Sequence, residues 1–166
     1  MITVRRARES DGAALARIDL ATWTPATSPA PPPADAGSYL FFDNGAAPSD
    51  VLTAEVDGVV AGYVRVRPPT LLPSNAHVLE VGGLAVDPAR QGAGVGRQLV
   101  EAAVMECARR QARKLTLRVL GPNVGARRLY ERCGFVIEGV LRAEFLLGSR
   151  YVDDVLMARH LSASVS

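Results

Sequence analysis

A chain of 166 residues, 48% of them hydrophobic and 22% charged, is long enough for one buried core and too short for two comfortable ones. It holds no apolar run long enough to span a bilayer, and Met1-Ile2-Thr3-Val4-Arg5-Arg6 is not the apolar stretch of a secretion signal, so the expectation is a cytoplasmic protein with no membrane partner. The net charge of +2 is unevenly spread: residues 90–132 carry 10 basic and 3 acidic side chains, while residues 1–89 carry 6 basic and 10 acidic ones.

In chain order, Ile2 to Ala7 alternates apolar and polar residues like a half-buried strand. Ser10 reads as a helix N-cap, with Asp11 favourable in the first turn and an amphipathic helix running on to about Trp23. Pro25, Pro29, Pro31, Pro32 and Pro33 then exclude both helix and ladder, and make a loop. Val51–Val56 and Val59–Val66 read as strands joined at Asp57-Gly58, a strong hairpin signal. After the loop at Pro68, Pro69 and Pro73, a fourth strand spans Val78–Val86 and stops at Asp87-Pro88.

From Gly94 to about Arg113 the period becomes helical, with Leu99, Val100, Ala103, Val104 and Cys107 on one face. Leu115–Leu120 is a short strand, and Gly121-Pro122-Asn123 opens a helix that Gly134 closes. Two more strands, from Phe135 to about Leu147 and from Tyr151 to Ala158, meet at Gly148-Ser149. The result is a mixed α/β domain over residues 1–161 with a tail at 162–166. Cys107, Cys133, His77 and His160 have no metal-ligand spacing and read as structural, so no metal is expected.

The segment from Leu84 to Arg97 carries the chemistry. A buried strand enters a glycine-rich turn, Gln91-Gly92-Ala93-Gly94-Val95-Gly96, which opens the long helix. Glycine lets backbone approach a ligand closely, and a helix start offers unpaired N–H groups and partial positive charge, so the turn suits phosphate. A P-loop would need Gly-Lys-Ser/Thr where Gly96-Arg97-Gln98 stands, and a dinucleotide fingerprint would need glycine at Arg97 or Leu99; both fail.

Gln91-x-x-Gly94-x-Gly96 instead resembles the coenzyme A signature of the GCN5-related N-acetyltransferase (GNAT) family. Asn123-x-x-Ala126-x-x-Leu129-Tyr130-x-x-Cys133-Gly134-Phe135 resembles that family's later helix and following strand. The element order matches as well, so the resemblance covers nearly all of residues 2–161. It implies a mixed, mostly antiparallel sheet flanked by helices, with the fourth and fifth strands splayed apart. It also implies an acetyl-CoA-dependent transfer to a primary amine by direct attack.

By the same resemblance, backbone N–H groups of Gln91, Gly92, Ala93, Gly94, Val95, Gly96 and Arg97 cradle the pyrophosphate. Leu84 and Val86 pair with the pantetheine arm, Asn123 touches it, and a backbone N–H near Ala85 faces the developing oxyanion. Tyr130 is the candidate acid for the leaving thiolate. Glu80, six residues before Val86, is the candidate base, read equally well as a solvated strand-end carboxylate. Gly82-Gly83 inside a strand points to a bulge or a close backbone approach.

Two other functions fit parts of the chain. A non-catalytic acyl-CoA sensor would share the fold. A nucleic-acid binder would use the basic helices, but Tyr130 is the only aromatic residue between 90 and 132, and single-strand readers intersperse aromatic platforms. The identity of the amine-bearing acceptor is open, and both a monomer and a homodimer are compatible with the sequence.

Overall fold

The strands assemble into one seven-stranded sheet in the order β1-β2-β3-β4-β5-β7-β6. In this computed structural model, which describes residues 1–43 and 45–162, they are β1 (Ile2–Arg6), β2 (Val51–Val56), β3 (Val59–Arg67), β4 (Val78–Val86), β5 (Lys114–Leu120), β6 (Val136–Leu147) and β7 (Arg150–His160). The helices are α1 (Gly12–Thr22), α2 (Val95–Arg109) and α3 (Val124–Arg132). From residue 163 onward the expected tail lies outside the described residues. The β2–β3 hairpin turns at Asp57 and Gly58, both at positive φ (51° and 81°), as a two-residue turn matched to strand twist requires.

Every neighbouring pair is antiparallel except β4–β5. That parallel pairing covers only Val78–Glu80 against Lys114–Thr116, after which the two strands part. The expected splay is present, and its local cause lies in β4. Arg65 pairs with Gly83 and Val66 with Val81, so Gly82 is the extra residue of a bulge. A Cβ there would stand 2.7 Å from Nε of Arg67, so a larger residue would displace that side chain.

Two apolar layers cover the sheet. On one face α2 contributes Val95, Leu99, Val100, Ala103 and Cys107, packed on Val64, Val66, Leu79, Val81, Leu115 and Leu117. On the other, Leu15 and Ile18 of α1 pack with Phe41, Val51, Tyr63 and Ala85. Burial of apolar surface at roughly 25 cal/mol per Å² is the main force holding these layers.

Three local expectations change. Ser10 is exposed and caps nothing. A short 3-10 turn, Glu9–Asp11, precedes α1, and Asp11 accepts the Arg8 N–H at 2.8 Å while Arg5 grips both of its oxygens at 2.8 and 2.9 Å. A carboxylate anchored by a guanidinium is a stronger acceptor than a free hydroxyl. The second helix stops at Arg109 rather than near Arg113, because Gln111 turns to φ 58° and Ala112 donates to the Cys107 carbonyl at 3.0 Å. β7 begins one residue earlier than expected and runs two further, to His160, held there by pairing with Lys114.

Glu106, only 6% exposed, ties α2 to the sheet edge. It accepts from Arg109 at 2.8 Å, Arg110 at 2.7 Å and Arg6 of β1 at 3.0 Å. These guanidiniums, Arg109 first, hold its carboxyl down at about 2. A depressed carboxylate stabilises the fold above its unfolded value and loses that contribution as pH falls. Glu106→Gln should therefore lower stability by about 2–3 kcal/mol at neutral pH. Urea unfolding at pH 7 and pH 3 should show the gap between mutant and parent narrowing as pH falls from 4.5 toward 2.

Candidate active site

The parting of β4 from β5 opens a cavity of about 420 Å³. Its walls include Val81, Gly82, Gly83, Leu84 and Ala85 of β4 and Arg118, Val119 and Leu120 of β5. Asp19 and Thr22 reach it from α1, on one side of the sheet, and Asn123, Ala126 and Tyr130 from α3 on the other. The cavity therefore passes through the sheet at the gap. Of the proline-rich loop, Thr27, Ser28 and Pro29 line it, steadied by the Trp23 indole N–H donating to the Ala30 carbonyl at 3.0 Å.

The glycine-rich turn follows β4. Gly92 and Gly94 sit at φ 80° and 87°, in the left-handed region, with open space where a Cβ would be. Gly94 is the N-cap of α2 and has no side chain with which to cap it, so the first-turn N–H groups face outward. Gly96 lies against Leu129 of α3, with only 3.1 Å between its would-be Cβ and that side chain. Gln91 folds its amide back onto the Val86 carbonyl at 3.3 Å. Asp87 accepts from Ala89 N–H at 3.0 Å and from Arg17 at 3.1 Å, tying the turn to α1; the Ala89 bond first, then Arg17, hold its carboxyl below the usual range.

The residues singled out in the sequence fall into groups. Leu84, Ala85, Asn123 and Tyr130 share the cavity wall. Gln91, Gly92, Ala93, Gly94 and Arg97 are exposed along the turn, Val95 is buried beneath it, and Val86 is core. The Asn123 side chain accepts the Ala126 N–H at 3.2 Å and so caps α3. Tyr130 packs at a tilt against Phe135, ring centroids 5.7 Å apart, and burial pushes its hydroxyl up to about 12. Glu80 stands apart. It is the last β4 residue paired with β5, its carboxylate lies 3.4 Å from Nε of Arg67, and it does not line the cavity.

Sequence reasoning missed the polar wall opposite Tyr130. Asp19 accepts hydrogen bonds from the hydroxyls of Tyr39, at 2.6 Å, and Tyr63. Burial, then Asp19, push the Tyr63 hydroxyl well up from its ordinary value. Arg65 lines the same wall, and so does Arg118, which is paired with the buried Asp154. The available signal was the alternation Tyr63-Val64-Arg65-Val66-Arg67, a strand with one polar face opposite a buried one.

The basic excess over residues 90–132 divides in two. Arg109 and Arg110 are held by Glu106, Lys114 by Glu138 and Arg118 by Asp154. Arg90, Arg97, Arg113, Arg127, Arg128 and Arg132 form no ion pair among the described residues, and three of them belong to α3, packed beside the glycine turn. Cys107 and Cys133 are buried free thiols pushed upward by burial, and no metal-binding cluster occurs among the described residues.

A sheet parted at its centre, a glycine turn opening the following helix and a cavity through the gap define a class of protein, and comparison names it. The model of the acetyltransferase (GNAT) family matches residues 13–135. The chain belongs to this family. It is 33% identical over 113 residues to phosphinothricin N-acetyltransferase of Alcaligenes faecalis, a match covering 68% of this chain and 57% of that relative's length. A GCN5-related N-acetyltransferase from Kribbella flavida superposes with a TM-score of 0.82 at 25% identity, over 96% of this chain and 98% of that one. A GNAT-superfamily phosphinothricin acetyltransferase from Sinorhizobium meliloti, solved in complex with acetyl-CoA, shares the fold at a TM-score of 0.79 and 18% identity, over 99% and 90% of the two chains.

The turn's conformation can be checked without any ligand. At φ 87° Gly94 holds a geometry that costs other L-residues about 1–2 kcal/mol, and no neighbour crowds the added methyl. Gly94→Ala should therefore lower unfolding free energy by about that amount with unchanged circular dichroism. An unaltered urea midpoint would rule out a left-handed N-cap.

Proposed function

We propose that this chain is an acetyl-CoA-dependent N-acetyltransferase that acts on a primary amine. The observation that carries this reading is the gap between β4 and β5, bordered by Leu84, Ala85 and Tyr130, with the uncapped helix start at the end of the same strand. The residues fit the coenzyme. Backbone from Gln91 to Arg97, open at Gly92 and Gly94, suits a pyrophosphate. Beyond Glu80 the β5-facing edge of β4 has no strand beside it, so Leu84 and Val86 can pair with an extended arm. Asn123, with its carbonyl engaged in capping α3, keeps amide N–H groups for the same arm.

When bound, acetyl-CoA supplies the thioester from which an acetyl group passes to the amine, leaving an amide and a thiol. The chain's part is to exclude water, orient the amine and manage two protons. Tyr130, protonated up to about pH 12, is a donor for the departing sulfur at any physiological pH. An N–H near Ala85 is the donor for charge developing on the carbonyl oxygen. Glu80 is the assigned base, acting directly or through water; its contact with Arg67 and its place just outside the cavity favour the water route. The buried free thiols support a reducing, cytoplasmic setting.

Acetyl-CoA at millimolar concentration should raise Tm by mass action, and an amine panel followed by thiol release should reveal turnover. No shift in Tm would sink the reading. Tyr130→Phe keeps the ring packed on Phe135 and should lower turnover by roughly ten- to a thousandfold with coenzyme affinity nearly unchanged. Full turnover in that variant would remove the acid assignment. Glu80→Gln should lose rate mainly at low pH, where the amine is protonated, and recover in part at high pH; superimposable pH profiles would leave Glu80 a solvated strand-end charge.

A further inference from the structure

Acetyl transfer moves more protons than Tyr130 and Glu80 account for. The amine arrives as an ammonium group, and Glu80, reached through water, serves its first proton. Once the nitrogen has bonded to the thioester carbon it is positively charged again, and a second proton must leave before the adduct collapses to an amide. Tyr130 and the departing sulfur occupy the α3 side of the gap, so this proton is released on the side walled by α1 and β3. Glu80 does not line that wall.

The wall holds a proton-accepting pair of its own. Tyr63 is the cross-strand partner of Ala85, which puts its ring beside the backbone that faces the developing oxyanion. Its oxygen stands 3.6 Å from where a Cβ of Gly83 would be, and the Phe41 ring, 4.7 Å away between centroids, fixes its direction. The Tyr63 hydroxyl donates to Asp19 and accepts no hydrogen bond among the described residues, so a lone pair is open. Burial, then the charge of Asp19, push that hydroxyl well up, so Tyr63 stays protonated and can conduct a proton without storing one. Asp19 is the only carboxylate among the described residues that line the cavity, and it forms no ion pair among them. The other titratable or charged groups on the cavity are Tyr39 of the loop, which also donates to Asp19, Arg65 of β3, Tyr130 of α3, and Arg118 of β5, paired with Asp154.

Resting on the acetyltransferase reading, we propose that Tyr63 and Asp19 form a relay for the second proton. The adduct nitrogen gives its proton to the Tyr63 oxygen while Tyr63 gives its own to Asp19. The oxyanion's electron pair then re-forms the carbonyl, the carbon–sulfur bond breaks, and the sulfur takes the Tyr130 proton. An amide and a thiol result. Asp19 afterwards releases its proton to water and Tyr130 regains one, so the balance closes with no further reactant. Tyr63 is thus a catalytic residue, and Asp19 is where the proton rests.

The test uses acetyl-CoA with the fastest acceptor among benzylamine, spermidine, the proteinogenic L-amino acids and a lysine-containing peptide. Both kcat and KM are followed from about pH 6 to about pH 10, the range over which an amine loses its proton. Tyr63→Phe keeps its ring against Phe41 and should lower kcat roughly a hundredfold with KM nearly unchanged. Asp19→Asn should lower kcat by a similar factor, and the double variant no further than the slower single one, because the two residues act as a unit. Both deficits should persist at high pH, where Glu80→Gln recovers, since the second proton leaves only after attack. Acetyl-CoA should still raise Tm in each variant. Should Asp19→Asn lose that shift, Tyr63→Phe decides alone. A loss confined to KM, a deficit that vanishes at high pH, or effects that multiply in the double variant would overturn the relay and leave this wall a binding surface. A protein that does not bind acetyl-CoA, or binds it and turns over no amine, overturns the acetyltransferase reading, and this inference falls with it.

Discussion

The separation of β4 from β5 after three paired residues is the constraint on which the rest of the molecule depends. A strand in the middle of a sheet normally satisfies its backbone on both sides. Here β4 keeps β3 as its partner from Glu80 to Val86 but loses β5 beyond Glu80. The bulge at Gly82 bends β4 at this point, and the apolar layers on both faces prevent the sheet from closing again. An exposed ladder edge is thus placed inside the protein, beside Tyr130, where an extended ligand can complete it.

The elements on either side of the gap are stiffened by different interactions. On the α2 side, an apolar stripe reaching from Val95 to Cys107 sits on the central strands, and the three guanidiniums around Glu106 fasten the helix to β1 and to the loop before β2. This fixes the direction of the α2 axis, and with it the first-turn N–H groups at Gly94. On the α1 side, Asp87 links the glycine turn to Arg17, and Asp19 draws in Tyr39 and Tyr63. The glycine turn and the polar wall of the cavity are therefore braced by one helix, through Arg17 and Asp19, two positions apart along it.

Charge follows the same division. Four basic residues of the cation-rich stretch serve the fold by pairing with Glu106, Glu138 and Asp154. Arg97, Arg128 and Arg132 are exposed, while Arg127 is half-buried and donates to the Gly121 carbonyl at the start of α3. A nucleic-acid binder would present the whole stretch to solvent. The observed partition leaves unpaired charge on Arg90 and Arg97 around the glycine turn and on α3 beside it, which suits a phosphorylated ligand.

Much of this was legible in the sequence, because local rules decide it. Asp57-Gly58 makes its hairpin wherever it stands between two strands, Val78–Val86 has the residues of a buried strand, and the glycines from Gly92 to Gly96 specify a turn that only a helix start completes. Helix ends were less legible: Ser10 caps nothing, because the chain enters α1 through a 3-10 turn whose Asp11 carboxylate is held by the Arg8 N–H and by Arg5, from another element. The site divided in the same way. Tyr130 and Asn123 belong to a local motif and were found, whereas Tyr63 and Arg65 share only a strand face in the alternation of β3, and it is packing of α1 that brings Asp19 to them. The sequence by itself determined the elements, the turn and the buried faces, since each rests on near neighbours and periodicity. Only the tertiary structure decided which charges are matched and which face the cavity, because a carboxylate's partner is set by where strands and helices meet in space.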